Sequence, residues 1–447
     1  MGMDFSVVKK ILTDEASALG LAEYEIFFSR NEQLSTETLK DEISSFSSGV
    51  GAGVGFRCIV GGKMGNASTE LFDEAELKGL VKRAMDNASI IENNDPVMIY
   101  GGSESYATLD VPSFAIPSAA SIKELALDVQ KRTYSESELI TDGTQSGVFA
   151  EQTRLDIVNS KGLSLTNTVT IGGVFVQAVV KQGEEAQEAF DFVLGYGGTE
   201  ELSANATQNA ISKLGATDVK SGKYKVIIDG RQMRALLATY SSAFSGRQAM
   251  LGLSLLAGKV GERVASECVT LVDDAMYNGS LIQTAFDGEG VATYKKNVIE
   301  GGVLKTLLYD LSTAAKMGVK TTANGHRTSY AQQVGIAPFT FYIEGGAQSE
   351  SQLLENMGDG IYVTALKGLH AGADAVTGDF SIESEGFLVE NGQKTKAIKG
   401  FTVAGNFFDL LGSIKALSDT VKFGLPSGFT VFGSPDVLLE DVSVAGI

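Results

Sequence analysis

Glycine decides what this chain can fold into. There are 52 glycines among 447 residues, against six prolines and no tryptophan. They follow no period of three, which excludes a collagen-like helix. Many fall inside runs of Val, Ile, Thr and Phe, where glycine bends strands and makes tight corners. The densest run is Gly49-Val50-Gly51-Ala52-Gly53-Val54-Gly55. It superficially suggests a phosphate loop, but it is neither GxGxxG nor a Walker sequence with its lysine. It also lies among strand-forming residues rather than opening a helix, so it reads as a bent strand.

A second glycine-rich stretch, Gly368–Gly392, holds one of the two histidines and a group of carboxylates. It reads as short strands through Ala375–Thr377, Phe380–Ile382 and Gly386–Val389. Turns are expected around Ala371-Gly372-Ala373 and at Gly378-Asp379. Glu390-Asn391-Gly392 is a hairpin signal, because Asn and Gly accept positive φ. Such a segment forms either a pocket wall or an ordinary β-rich core with tight corners.

A hydrophobic share of 43 % is enough for a sizeable core. The formal charge of −19 argues against nucleic acid and anionic membrane surfaces, both of which need clustered Lys and Arg. Cys58 and Cys268 form no CxxC and no disulfide framework, which fits a reducing cytoplasm. The first residues pass directly into an amphipathic helical pattern with no signal peptide, and Met1-Gly2-Met3 is assigned no function. No uncharged run reaches membrane-spanning length.

The periodicity predicts a helix capped by Asp4, strands over Tyr24–Phe28 and Gln33–Leu39 with a polar link between them, and strands over Ile43–Gly53 and Val54–Val60. A helix over Phe72–Ala88 follows, capped by Asp73. Residues 93–118, polar and with Pro96, Pro112 and Pro117, read as a surface crossing. A helix over Ile122–Tyr134 precedes strands over Gly147–Asn159, Leu163–Gly172 and Val174–Lys181. After Gly215–Gly222 come a buried strand, Tyr224–Asp229, a helix over Gln232–Phe244, and then mostly strands with helices over Ser349–Met357 and about Asn406–Leu417. The fold class is α+β. An N-terminal α+β domain with an antiparallel sheet spans 1–218, with a possible subdivision near 93–118. A β-rich C-terminal domain with a few helices spans 219–447.

Candidate chemistry is sparse. A zinc site needs three or four ligands at short reach, and His326, His370 and two scattered cysteines supply them poorly. Asp273-Asp274 and Asp287-Gly288-Glu289-Gly290 offer oxygens to a hard cation but match no EF-hand loop; solvated turns explain them equally. Asp374, Asp379, Glu383, Glu385 and Glu390 invite a glycosidase-type carboxylate pair, although neighbouring acids are common in an acidic chain. Ser245-Gly246-Arg247 and Ser254 lack the GxSxG elbow.

An ordered set of motifs resembles the TldD/PmbA family, once described as modulators of DNA gyrase. The set includes Gly246-Arg247, Lys259-Val260-Gly261-Glu262, Asp273-Asp274 and Phe286-Asp287-Gly288-Glu289-Gly290. It continues with Ala314-Ala315-Lys316-Met317-Gly318, Asp374–Phe380, Gly386–Gly392 and Ile398–Asn406. The resemblance implies two branches: a TldD-like zinc metallopeptidase with an HExxxH helix and a later cysteine, and a PmbA (TldE) branch that lacks that motif and pairs with it. Together they enclose and cleave unfolded peptides.

This chain resembles the PmbA branch. Its counterpart of the motif helix reads RQMRALLATYSSAFSGRQAMLGL, without His or acid, and Phe432-Gly433-Ser434-Pro435 has no cysteine. The resemblance therefore implies no catalytic, cofactor or metal residue in this chain, with zinc only in a TldD-like partner. His370, Asp374, Thr377, Asp379, Glu390 and Asn391 are the candidate lining of the peptide cavity. A homodimer is the expectation for the isolated chain. Two other readings stand beside this one. The first is a stand-alone peptide-binding module. The second is an autonomous hydrolase using carboxylates, disabled by changing Asp379 or Glu390.

Overall fold

The computed structural model describes residues 4–109, 111 and 115–446. Met1-Gly2-Met3 and Pro112 lie outside the described residues. The fold is α+β, with three six-stranded sheets and a two-stranded ribbon among the described residues.

The front sheet is wholly antiparallel. Its strands run, edge to edge, Lys63–Thr69, Glu42–Val60, Tyr24–Leu39, Gln145–Asn159, Ser164–Gln182 and Glu185–Leu194. Because side chains alternate along a strand, each long strand serves two environments. Tyr24, Ile26, Phe28, Val54 and Phe56 face the helices Phe5–Ala18 and Glu74–Ser89, which bury Val8, Leu12, Leu77 and Leu80 against them. Farther along, Val148, Val174, Val176 and Val180 meet the helices Ala119–Ser135 and Thr199–Ile211. Each such side chain contributes about 1.5–3 kcal/mol by leaving water. Asp4, Asp73 and Ser118 cap three of these helices, their side chains accepting the N–H of Ser6, Glu76 and Ser121.

Three sequence expectations are corrected here. Tyr24–Leu39 is one strand with no polar link, because Asn31 in its middle donates to Glu151 and Thr153 on the neighbouring strand. Glu42–Val60 and Ser164–Gln182 are likewise single strands. The Gly49–Gly55 run is a strand as expected, and two of its glycines, Gly53 and Gly55, serve a close approach. A Cβ on Gly53 would meet the Tyr330 ring at 2.4 Å, and one on Gly55 would meet the Tyr330 carbonyl at 2.2 Å.

In the rear half, Gln393–Asn406, Asp379–Glu390, Gly360–Lys367, Gly222–Ile228 and Val437–Ala445 pair in succession. Thr402–Ala404 then pairs back onto Ser443–Ala445, so five strands close on themselves. Ile414–Leu417 pairs with Val437–Leu439 on the edge away from Gly222–Ile228. The last sheet orders Val303–Leu304, Lys296–Glu300, Leu271–Asp273, Thr340–Ile343, Val431–Ser434 and Lys422–Phe423. The large core of this half centres on Tyr240, Phe244, Phe341, Phe401 and Phe407. The helix expected over Gln232–Phe244 is Gly230–Thr239 followed by a 3-10 turn. The late helix is Phe407–Ser413, after which the chain turns into strand.

Residues 93–106 form no helix or strand, yet they are tied down. The Tyr106 hydroxyl donates to the Gly290 carbonyl, and Asn159 Nδ2 donates to the Tyr100 carbonyl. Among the described residues no helix is long and apolar enough to cross a membrane.

Candidate functional site

The Gly368–Gly392 stretch does not gather its polar residues in one place. His370 lies on the short helix Leu369–Gly372, and Asp374, Thr377 and Asp379 form the corner after it. Glu390 and Asn391 lie at the far end of the 12-residue strand Asp379–Glu390, about 36 Å away at ~3.3 Å per residue. All six are exposed. Asp379 and Glu390 are therefore too far apart to act on one glycosidic bond, which needs carboxylates roughly 5–10 Å apart.

The corner is built by its own acids. Asp374 accepts the N–H of Val376 and Thr377, and these bonds, Thr377's first, hold its carboxyl below the usual range. The same capture makes Ala375–Thr377 a turn rather than the expected strand. Asn406 Nδ2 donates to the Thr377 carbonyl and to Asp379, and Tyr240 donates to the Asp379 carbonyl. At the far end Asn391 and Gly392, at φ +52° and +76°, make the expected hairpin turn.

The helix Gly230–Thr239 meets the strand Val431–Ser434 at its N-terminus, where a Cβ on Gly230 would lie 2.3 Å from the Ser434 carbonyl. Two carboxylates stand there, and an ammonium lies between them. Lys422 Nζ is 2.8 Å from Asp229 and 2.7 Å from Asp436. The Tyr362 hydroxyl lies within hydrogen-bond distance of both acids, and Asp436 also accepts the Gly230 N–H. Burial pushes Asp229 up, but Lys422 outweighs it and the net shift is downward; at Asp436 burial prevails and the shift is upward. The site does not fit zinc. It has no imidazole or thiolate, and its acid oxygens already hold a lysine, a phenol and backbone donors. Among the described residues, no group of three or more His, Cys, Asp or Glu is placed to hold a metal ion.

A different site lies where the front sheet meets the rear half. Glu25, fully buried, takes Arg57 Nη2 at 3.0 Å and Arg327 Nη2 at 2.5 Å. Arg327 also stacks over the Phe27 ring at 4.1 Å and donates through Nε to the Gly288 carbonyl. Burial pushes the Glu25 carboxyl up, but the two guanidiniums outweigh it and hold it below the usual range. The acidic turn Asp287-Gly288-Glu289-Gly290 is therefore not solvated. Asp287 accepts the N–H of Glu289, Val291 and Gly325, and Glu289 accepts that of Leu311. Burial raises Asp287 to about 6; burial, then the Asp287 charge, raises Glu289 to about 7.

A cleft of about 430 Å³ opens over Glu289 and Arg57. Its walls carry two ion pairs, Arg247–Asp310 at 2.7 Å and Lys316–Asp95 at 2.7 Å. Its rim is aliphatic: Ile91, Met250 and Leu251 are 37, 39 and 59 % exposed. A charged floor under an aliphatic rim suits an extended peptide, whose backbone and side chains need both. Sequence reasoning missed this cleft, although Asp287-Gly288-Glu289-Gly290 and Gly246-Arg247 had been singled out as motifs. Nothing in the sequence says that they meet Arg57.

Comparison with known proteins agrees with this architecture. The rear half, residues 221–446, matches the PmbA/TldA metallopeptidase C-terminal domain, and residues 24–88 match domain 1 of the same family. A metalloprotease of Methanocaldococcus jannaschii is 29 % identical over 88 % of this chain and 89 % of its own. Metalloprotease PmbA of Escherichia coli O157:H7 is 24 % identical over 98 % and 97 %. A Thermotoga maritima crystal structure, described as a modulator of a DNA gyrase, is 27 % identical, covers 99 % of this chain and 100 % of its own, and superposes with a TM-score of 0.89. With both of its matched segments drawn from one family, and the motifs of the rear half set on that family's fold, the chain belongs to the PmbA/TldA metallopeptidase family.

Proposed function

We propose that this chain is a PmbA-type, TldE-like subunit that holds unfolded peptides for a TldD-like zinc metallopeptidase and brings no hydrolytic metal of its own. The observation that carries this reading is Lys422. At the N-terminus of Gly230–Thr239 its ammonium lies between Asp229 and Asp436, so these two carboxylates already hold a cation and are not open to a metal ion. The absence of His, Asp and Glu from the 230–254 stretch supports it too. So does the match to a PmbA-named relative along nearly the whole chain.

Zinc bound in the partner would supply the activated water; this chain's residues bind and orient. The cleft over Glu289 offers backbone partners and an aliphatic rim to an extended segment. The exposed corner of His370, Asp374, Thr377 and Asp379, with Val376 46 % exposed beside them, is the surface we assign to the enclosing wall. Paired with the partner, these surfaces exclude folded substrates by size. The distance between Asp379 and Glu390 rules these two out as one carboxylate pair.

The test is metal analysis with a peptide-cleavage assay on the purified chain, with and without a TldD-like subunit. The expected result is no stoichiometric zinc alone and cleavage only with the partner. Chelator-sensitive proteolysis by the chain alone would overturn the reading. Peptide binding with no effect on any partner's cleavage would favour a stand-alone binding module.

A further inference from the structure

A second cavity, about 370 Å³, lies on the same face of the front sheet. Its floor is one row across four strands: Gly51 opposite Asn31, Asn31 opposite Thr153, Thr153 opposite Val169. Tyr330 and Phe429 close over it from two rear-half loops. Gly51 leaves open space, since a Cβ there would meet nothing within 4 Å. The walls are largely apolar, with Ile171, Ile282 and Pro426 beside Phe429.

Two carboxylates line this slot, Glu70 and Glu151, and no Lys, Arg or His does. Their hydrogen bonds come from neutral donors: the Tyr330 hydroxyl to Glu70, and Asn31 Nδ2 and the Thr153 hydroxyl to Glu151. The first cleft is different, because Asp95 and Asp310 there already have cationic partners and Glu289 has the Arg57 guanidinium beside it. A slot with apolar walls, two aromatic rings and two carboxylates lacking cations is complementary to a long apolar stem with a positive end.

We infer that this slot binds an unbranched aliphatic chain ending in an ammonium, the chemistry shared by the lysine side chain of an extended peptide and a free diamine. The peptide form rests on the peptide-holding reading above. The methylenes lie along Ile171, Ile282 and Phe429 and the ammonium reaches Glu151, which stands opposite Ile171, while Glu70, three strands away beyond Thr69, keeps the other side of the slot negative.

Isothermal titration of the full chain at low salt tests this with three probes: acetyl-Ala-Ala-Lys-Ala-Ala-amide, its norleucine counterpart, and cadaverine. The lysine peptide should bind about tenfold more tightly than the norleucine peptide, the effect of a charge-assisted contact. The E70Q/E151Q pair should abolish that preference. G51V should weaken binding at least about tenfold by filling the slot. It sits in a strand at ordinary φ with free space for its side chain, and its unfolding midpoint checks that the fold is kept. Cadaverine binding with no peptide binding supports the site and assigns it to free diamines. Equal affinity for lysine and norleucine peptides, no binding of any probe, or full binding by folded G51V would overturn the inference. Stimulation of a partner's cleavage is read separately. If it persists without lysine preference, only this inference fails; if it is absent while lysine binding stands, only the subunit reading fails.

Discussion

Arg327 and Glu25 lie 302 residues apart in sequence and share a buried ion pair. Glu25 belongs to the front sheet, and Arg327 follows a strand of the rear half. Both are shielded from water, so the pair ties the two halves through charges that only neighbouring protein groups solvate. Removing one partner of such a pair costs more than the pair itself contributes, because the other charge stays buried. Arg57 still neutralises Glu25 in Arg327→Met, so the loss is tempered to about 2–4 kcal/mol. Denaturant unfolding should show a lower midpoint in R327M, and a larger loss in E25Q, which strands two guanidiniums at once.

Asp287 and Glu289 give the chain a pH dependence of opposite sign to that of a paired acid. Their carboxyls titrate near 6 and 7 when folded, above the usual carboxylate range. The folded state thus holds more protons than the unfolded one between about pH 4 and 7. Stability must fall as pH rises through that window and level off above it. Glu289→Gln removes the larger share, so stability at pH 8 should rise by on the order of 1–3 kcal/mol. Urea titrations at pH 5 and pH 8 read the difference, and a wild-type curve that climbs over this range would contradict the assignment.

Two glycines in one strand should answer differently to the same change. Gly53 lies under the Tyr330 ring, with 2.4 Å between that ring and any added Cβ. Gly53→Ala should lift the loop and cost about 1–3 kcal/mol. Gly51→Ala meets nothing and should be neutral or stabilising by up to about 1 kcal/mol. In a double-mutant cycle, Tyr330→Ala should recover most of the Gly53→Ala loss.

Lys422→Met leaves Asp229 and Asp436 facing each other without their cation. We expect a loss of about 3–5 kcal/mol near pH 8, easing as pH falls and one carboxyl takes up a proton. Asp436, raised already by burial, is the one to take it. Thermal unfolding across pH 5–8 reads the slope; a flat profile would mean that water reaches the pair.

Local chemistry made part of this fold legible. The caps at Asp4 and Asp73 and the turn at Asn391-Gly392 need only a few neighbouring residues to work. What depends on a distant partner was not legible. Ser29–Glu32 looked like a link because the partners of Asn31, Glu151 and Thr153, lie on another strand far along the sequence. Asp374 diverted Ala375–Thr377 from strand by taking two N–H groups that a ladder would use. Lys422, Arg327 and Tyr330 carry no local signal; each acquires its role from residues more than ten positions away.

The way each sheet is threaded sets an order of assembly. In the front sheet most hydrogen-bonded neighbours are also neighbours along the chain, so their loops close cheaply. The barrel instead joins Val226 to Ile361 and Leu439, across far longer stretches of polypeptide. Refolding should be biphasic, the meander zipping first and the cylinder completing slowly, with its half-made rim exposed to self-association in the interval.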